Sequence, residues 1–170
     1  MQVVDFFAPD LVAYETEEPL FFLSDKSGND KVVEFSLDML EQPVSVNVKN
    51  EERRQVKVVP VDHNVKAFRE GTRDMESLCD YLMTVDDTAQ LIFGEIKTGR
   101  KSWAADGAKQ ISNTLRIFKQ NHDLSRWKKC KAYVSNRRYW KARESHRDII
   151  GAFRDLNGLP LFIQNEVLVD

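Results

Sequence analysis

Two apolar runs, at residues 79–85 and 91–97, constrain the fold of this chain more than any other feature of its sequence. The residues between them include Asp86, Asp87 and Thr88, whose short polar side chains favour turns. Apolar runs of this kind on either side of a short polar loop are typical of a β-hairpin. The sequence therefore predicts two antiparallel strands joined by a tight connection.

The elements after the hairpin predict a mixed sheet with helices packed on it. Residues 102–120 are predicted as a helix with Ser102 at its N-cap, because apolar residues recur there at the spacing of one helix face. These apolar residues are Ala104, Ala108, Ile111, Leu115 and Phe118. The later elements are a strand at 129–135, a helix at 141–157 and a strand at 161–169. Gly158 is expected to end the second helix, whose apolar face is Ile149, Ile150, Phe153 and Leu156.

The first part of the chain predicts short strands separated by turn residues. The predicted strands are residues 2–7, 20–23, 32–35, 44–48 and 56–61. Residues 36–41 form a candidate helical turn. Residues 62–70 are predicted as a short helix that is capped by Asp62 and ended by Gly71.

We therefore expect one domain over residues 1–170, of the α/β (α+β) class, with a mixed central β-sheet flanked by helices. Residues 1–61 form a β-rich N-terminal extension and residues 62–170 the core. The N-terminus lacks the basic and apolar regions of a secretory signal, and no apolar run is long enough to span a membrane. The two cysteines form no CxxC pair, and the histidines show no zinc-site spacing. These features predict a cytoplasmic protein with reduced thiols.

Charge is distributed unevenly along the chain, although the formal net charge is only −2. Residues 1–96 contain 9 Lys/Arg and 20 Asp/Glu, whereas residues 97–147 contain 15 Lys/Arg and 3 Asp/Glu. A basic segment of this strength favours a phosphate-rich partner such as nucleic acid. The alternative is that the basic segment simply folds against the acidic first part.

A cluster of charged residues is predicted at one end of the hairpin. If Val85 lies opposite Gln90, Asp80 lies opposite Glu95 on the same sheet face, with Cβ atoms roughly 5 Å apart. Lys97 follows Glu95 by two residues and so points to the same side. Two carboxylates at that distance repel each other unless a cation lies between them, and oxygen ligands suit Mg²⁺ or Mn²⁺.

Two further groups are candidates for this cluster. The backbone carbonyl of Ile96 lies at the strand end and is a third candidate metal ligand. Gln110 lies on the predicted helix, on a stripe beside the apolar one, where it would point its amide toward the end of the sheet. The alternatives stay open: Gln110 is about as readily a solvated helix residue, and the charged residues a surface ion cluster.

At these residues the chain resembles the PD-(D/E)XK nuclease superfamily, whose fold is restriction-endonuclease-like. The resemblance rests on CDYL, LIFGEIKTG and WAADGAKQISNTL, and covers roughly residues 75–118. It implies Asp80 and Glu95 as metal ligands, Lys97 as the catalytic lysine, and Gln110 as an additional polar helix residue. Many members also carry a glutamate on a helix before the aspartate strand, for which Glu70 and Glu76 are the first candidates and Glu51 and Glu52 the next.

The resemblance implies a Mg²⁺- or Mn²⁺-dependent hydrolase of phosphodiester bonds, with DNA the favoured substrate. A divalent ion neutralises phosphate charge and lowers the pKa of bound water, and a lysine positions the water or a phosphate oxygen. The basic segment would then contact backbone phosphates. The candidate contacts are Arg100, Lys101, Lys109, Arg116, Arg137 and Arg138. Trp103, Tyr139 and Trp140 are candidates for base stacking, although core packing is the better expectation.

Two other functions fit the same residues. One is a non-catalytic module that binds nucleic acid or protein, in which Asp80, Glu95 and Lys97 form a structural ion cluster. The other is an acidic N-terminal half that serves as an interaction surface and covers the basic face until a partner arrives. A homodimer would also suit an enzyme that cuts both strands of a duplex with one site per chain.

Overall fold

The predicted hairpin lies at the centre of the larger of two β-sheets. The computed structural model describes residues 2–25, 32–38, 45–139 and 146–170, and all the elements below belong to these ranges. The strands are β1 (Tyr14–Thr16), β2 (Leu20–Ser24), β3 (Glu34–Ser36), β4 (Ser45–Lys49), β5 (Val56–Pro60), β6 (Tyr81–Val85), β7 (Gln90–Ile96), β8 (Lys129–Ser135), β9 (Leu161–Ile163) and β10 (Glu166–Leu168). The helices are α1 (Trp103–Asn121) and α2 (Arg147–Asn157), and a 3₁₀ turn spans Leu124–Arg126.

The two sheets contain both parallel and antiparallel strand pairs. The larger sheet has the order β1-β5-β6-β7-β8-β9; it is antiparallel from β1 to β7 and parallel from β7 to β9. The smaller sheet has the order β10-β4-β2-β3, in which β10 and β4 are parallel. Mixed sheets together with α-helices confirm the predicted α/β (α+β) class.

Strands from both ends of the chain contribute to both sheets. β1 and β5 belong to the first 61 residues, yet they extend the larger sheet next to β6. β10 lies near the C-terminus, yet it pairs with β4 in the smaller sheet. The N-terminal strands therefore form backbone hydrogen bonds with strands from the rest of the chain.

The larger sheet is covered on both faces. Leu82, Leu91 and Phe93 pack against α1 on one face, whereas Met83 and Ile92 pack against the smaller sheet on the other. All residues of β6 and β7 are buried. Burial on both faces explains why these two strands read as continuous apolar runs rather than as alternating ones.

The hairpin has the predicted register. Val85 lies opposite Gln90 and Tyr81 lies opposite Gly94. Asp80 immediately precedes β6, and Glu95 follows Gly94 in β7, so the two carboxylates lie across from each other at the end of the hairpin. β8 then pairs in parallel with β7 along its full length.

Helix α1 packs on the sheet through its predicted apolar stripe. The five residues predicted to be buried, Ala104, Ala108, Ile111, Leu115 and Phe118, are all buried. Gly107 gives the closest approach, since a Cβ built there would lie 2.6 Å from Val134 Cγ1 and 3.4 Å from Glu95 Cγ. Ser102 occupies the N-cap position, but its side chain makes no capping hydrogen bond.

Several predictions for the first part of the chain are wrong. Residues 2–7 form no strand. The N–H groups of Val4 and Phe6 bond instead to side chains at the end of α1, with Val4 N donating to Asn121 Oδ1 at 2.9 Å. β1 was not predicted. The helix expected at 62–70 does not form, because Asp62 N donates to Cys79 O at 3.1 Å and so continues the sheet. A helical turn was predicted at residues 36–41. Ser36 is instead the last residue of β3, and residues 39–41 lie outside the described ranges.

The C-terminal part also differs in detail. Residues 161–169 form two strands in different sheets rather than one, because the chain bends at Gln164 and Asn165. α2 is described from Arg147, and the predicted start at residue 141 lies outside the described ranges. Leu156, predicted on the apolar face, is 74% exposed, whereas Gly158 ends the helix with φ 76° as expected. Neither α1 nor α2 combines the length and apolarity that a membrane crossing requires.

The N-terminal segment is docked onto α1 through His122, and this contact predicts a pH dependence of stability. Phe6 N donates to His122 Nε2 at 3.2 Å, so this nitrogen must be unprotonated. Burial lowers the pKa of His122, an effect that Asp5 opposes and Arg126 reinforces. A lowered folded-state pKa means that the contribution to stability is complete above about pH 6.5 and is lost as the pH falls through the folded value.

We therefore expect the unfolding temperature to fall more steeply between pH 7.5 and pH 5 in the native chain than in a His122→Gln variant. Differential scanning calorimetry at several pH values measures this difference. A His146→Gln variant is a suitable control, since His146 precedes α2 and packs against Trp103 at the opposite end of α1 from His122. Equal slopes for the native chain and His122→Gln would contradict the prediction.

Candidate functional site

Three strand ends meet at one edge of the larger sheet. β6 begins at Tyr81 directly after Asp80, while β7 ends at Ile96 and β8 ends at Ser135. The parallel pairing of β7 with β8 brings their carboxyl ends together, and Lys97 N donates to Ser135 O at 2.7 Å. Asp80, Glu95 and Lys97 therefore lie at the same edge, which is where open sheets commonly bind ligands.

Asp80 and Glu95 are joined by backbone hydrogen bonds. Asp80 N donates to Glu95 Oε2 at 3.1 Å, and Ile96 N donates to Asp80 Oδ2 at 2.6 Å. Asp80 is 6% exposed and Glu95 is 2% exposed. Ile96, predicted to offer its carbonyl to a metal, contacts the cluster through its N–H group; a role for the carbonyl stays a prediction.

Burial controls the ionisation of these two acids. It raises the pKa of Glu95 to about 7, although the ammonium of Lys97 opposes the shift. It raises the pKa of Asp80 well above its usual range, and repulsion from Glu95 adds to that increase. Buried carboxylates of this kind gain from a nearby cation, because the charged forms are poorly solvated.

Lys97 lies between the carboxylate and the helix. Its Nζ is 2.8 Å from Glu95 Oε1 and also donates a hydrogen bond to Gln110 Oε1. An ammonium has three N–H groups, so these two contacts leave one donor for a further oxygen. The side chain is 22% exposed, which leaves this end of the cluster accessible from solvent.

Gln110 bridges α1 and the sheet. Its Nε2 donates to Leu78 O at 3.2 Å, so the side chain is held at both ends and points toward the sheet, as predicted. Thr114 lies one turn later, where its hydroxyl donates to Gln110 O and accepts from Cys79 N at 2.7 Å. These bonds fix α1 relative to the start of β6, and thereby fix Lys97 relative to Asp80.

Sequence reasoning missed two carboxylates that lie near this cluster. Asp25 follows β2 of the smaller sheet, and Asp62 follows β5. Burial raises the pKa of Asp25, as does the charge of Asp62, while Lys97 and His63 oppose the shift. Burial also raises the pKa of Asp62. Asp62 lies two residues beyond Pro60, which pairs with Tyr81 in the sheet. That pairing brings Asp62 near the cluster, but it is not evident from the sequence.

The two first candidates for the helix glutamate are placed elsewhere. Residues 62–102 contain no helix, so neither Glu70 nor Glu76 lies on one. Glu76 pairs with Arg116 at 3.1 Å and accepts from Asn113 Nδ2 at 3.1 Å. Glu70 is exposed in the loop before Gly71. Both therefore face the outer side of α1 rather than the Asp80–Glu95 pair.

The donor set suits one class of metal ion. In the described ranges, no group of three His, Cys, Asp or Glu side chains is arranged to hold a metal. Mg²⁺ is usually bound through only one or two carboxylates, with water and substrate phosphates completing its shell. The Asp80–Glu95 pair fits that requirement.

Comparison with known proteins returns no match: no family model, no curated protein and no solved structure corresponds to this chain. Its function must therefore be inferred from the site itself.

The predicted nucleic-acid contacts fall into two groups. Arg100 and Lys101 follow β7, and Arg137 and Arg138 follow β8, so these four lie at the sheet edge that carries the cluster. Asn136 Nδ2 donates to Gly99 O at 2.8 Å and joins the two loops. Arg137 is half-buried and donates to Asn47 Oδ1, while the other three are exposed.

The other two predicted contacts, Lys109 and Arg116, lie on the exposed side of α1. Among the aromatic residues, Trp103 is 6% exposed and packs in the core, as was the better expectation. Tyr139 is half-buried beneath the guanidinium of Arg138, 5.6 Å from its ring centre. Trp140 lies outside the described ranges.

Proposed function

We propose that this protein is a divalent-metal-dependent nuclease that hydrolyses phosphodiester bonds of nucleic acid, with DNA the favoured substrate. One observation carries the proposal: Lys97 Nζ lies 2.8 Å from the Glu95 carboxylate, which in turn contacts Asp80, at the accessible carboxyl ends of two parallel strands. This combination of two acids and one lysine is also what the resemblance to the PD-(D/E)XK superfamily implies.

Each side chain has a distinct task in this reaction. Asp80 and Glu95 would hold Mg²⁺ or Mn²⁺, and the ion would supply neutralisation of phosphate charge and a lower pKa for bound water. Lys97 donates its remaining N–H to a phosphate oxygen or to the attacking water, where a positive charge stabilises the transition state. Gln110 keeps the ammonium aligned through its own contact with Leu78 O.

The basic loops supply substrate binding. Arg100, Lys101 and Arg138 are exposed in the loops beside the cluster, and in this proposal they contact phosphates near the scissile bond. Such contacts give affinity that falls with salt but carry no sequence information.

The proposal is tested by cleavage assays with fluorescent single-stranded and duplex DNA, and with RNA, in Mg²⁺, Mn²⁺ or EDTA. We expect metal-dependent cleavage that falls by more than about 100-fold in Glu95→Gln, because the change removes the charge of a proposed metal ligand and so weakens binding of the divalent ion. Glu166→Gln is the matched control, since Glu166 also pairs with a lysine, Lys49 at 3.1 Å, but lies in β10 of the smaller sheet. Absence of cleavage with every metal and substrate, from folded protein, would reject the nuclease.

The alternative is a non-catalytic module that binds nucleic acid or protein. It is favoured by the ion pair of Lys97 with Glu95, which already compensates one buried charge without a metal. Fluorescence anisotropy distinguishes the two functions: binding that persists in EDTA and in Lys97→Ala, with no cleavage under any condition, supports the module.

We propose a cytoplasmic location, consistent with the free thiols of Cys79 and Cys130. Two further proposals concern partners: a homodimer, and a protein that binds the acidic N-terminal half. Light scattering on the intact chain tests the homodimer. Deleting residues 1–60 is not a usable test of that surface. Val4 and Phe6 belong to the core beneath α1, and β5 pairs directly with β6, so the deletion would remove part of the fold.

A further inference from the structure

Two adjoining cavities lie along the exposed side of α1, and together they are termed the groove. The first has a volume of about 830 Å³ and the second about 520 Å³, and Arg69, Glu76 and Arg116 line both. The larger cavity reaches Gln110, which bonds to Lys97, and the smaller one extends to Gln120. The groove therefore begins beside the candidate active site and leads away from it.

The groove has a positive charge. Five basic residues line it (Arg69, Arg73, Lys109, Arg116 and Lys119), against three acids (Glu70, Glu76 and Asp106). Glu76 is already paired with Arg116. Arg69 and Lys109 are exposed and form no ion pair with any residue that the structure describes, so their charges are available to a ligand. A surplus of unpaired cations in a concave surface favours a polyanion.

The other lining groups favour a single strand of nucleic acid over an acidic peptide. Gln120 is exposed at the far end of the groove, and its amide offers both donors and an acceptor, as unpaired base edges require. Phe68 and Leu156, at 44% and 74% exposure, present apolar surface on which bases can pack. From Gln110 to Gln120 a helix rises by about 15 Å, which matches roughly four nucleotides at a stacked spacing near 3.4 Å.

We propose that this groove binds one strand of the nucleic-acid substrate, about four nucleotides long, on one side of the bond that is cut. The inference rests on the proposed nuclease function for its biological meaning. Binding itself is independent of catalysis, and it is therefore measured separately.

The test measures the affinity of oligo(dT) of 4 to 16 nucleotides by fluorescence anisotropy in EDTA, at several salt concentrations. Arg69→Ala/Lys109→Ala is expected to lower the slope of log affinity against log salt by about 1.4, since each phosphate contact to a single strand contributes about 0.7. In the native chain, affinity should rise as oligo(dT) is lengthened by the nucleotides that fill the groove. The double variant should lose this rise. Arg126→Ala/Lys128→Ala is the matched control: both residues are exposed and basic but lie beside the opposite end of β8.

The possible outcomes separate the groove from the active site. An unchanged slope in Arg69→Ala/Lys109→Ala, with circular dichroism that confirms folding, would overturn the groove even if the protein cleaves DNA. A lower slope with no cleavage in any metal would support the groove and reject the nuclease. If a duplex of equal length gives the same slope and the same loss, the occupant is not a single strand. Tighter binding of poly-glutamate than of oligo(dT) would likewise overturn the proposal.

Discussion

Replacement of Lys97 by methionine is expected to reduce the rate of DNA cleavage by about 10²–10³-fold while the chain stays folded. The ammonium lies 2.8 Å from Glu95 Oε1 and retains one N–H for the substrate, so its loss removes a positive charge from the point where the transition state becomes more negative. Methionine preserves much of the aliphatic stem, which is 22% exposed, so packing changes little. Single-turnover kinetics in Mg²⁺ measures the loss in the chemical step.

Two companion variants make this result specific. Lys97→Arg keeps the charge but replaces a compact ammonium by a planar group, and it should recover only part of the rate. Lys49→Met is the matched control, because Lys49 pairs with Glu166 at 3.1 Å in the smaller sheet. Full activity in Lys97→Met would show that Lys97 has no catalytic part, whereas equal losses in Lys97→Met and Lys49→Met would point to a general effect on the fold.

The sequence was informative wherever the determining contacts are local. The hairpin register follows from a four-residue connection, and it alone places Asp80 across from Glu95. The orientation of Gln110 follows from helix periodicity, because it lies one residue before Ile111 of the buried stripe. The central part of the candidate site could therefore be predicted from the order of the residues alone.

The surroundings of the site could not be predicted, because they depend on strands that pair across long sequence separations. Asp62 reaches the cluster only because β5 pairs with β6, and Asp25 only because the smaller sheet packs against the larger one. Nothing in the residues around Asp62 distinguishes the end of a strand from the start of a helix. The same acid that would cap a helix instead follows an extended segment bonded to Cys79 O.

The C-terminal strands show the same limit. Residues 161–169 were predicted as one strand, yet the chain bends at Asn165 and places β9 and β10 in different sheets. The bend is fixed by distant partners: Asn47 N donates to Asn165 O at 3.2 Å and Asn136 N donates to Asn165 Oδ1 at 3.0 Å. Tertiary hydrogen bonds, rather than local propensity, therefore determine where that strand is divided.

Replacement of Gly94 by alanine is expected to destabilise the protein by more than about 3 kcal/mol, beyond the usual cost of overpacking a core. Gly94 lies directly opposite Tyr81, whose ring covers it: a Cβ built at Gly94 would lie 1.9 Å from Tyr81 Cζ and 2.2 Å from its Oη. Tyr81 is fully buried, so its ring has no free space to move into. Urea unfolding followed by circular dichroism measures the loss.

The control for this variant is another Gly→Ala change. Gly151 lies inside α2 with nothing within 4 Å of a built Cβ, so Gly151→Ala should stabilise the chain by about 0.5–1 kcal/mol. Combining Gly94→Ala with Tyr81→Val removes the ring and should recover much of the loss, which a double-mutant cycle expresses as a coupling energy. Because Glu95 directly follows Gly94, a displaced β7 should also reduce cleavage. Gly94→Ala that is as stable as the native chain would mean that the Tyr81 ring does not lie across this strand.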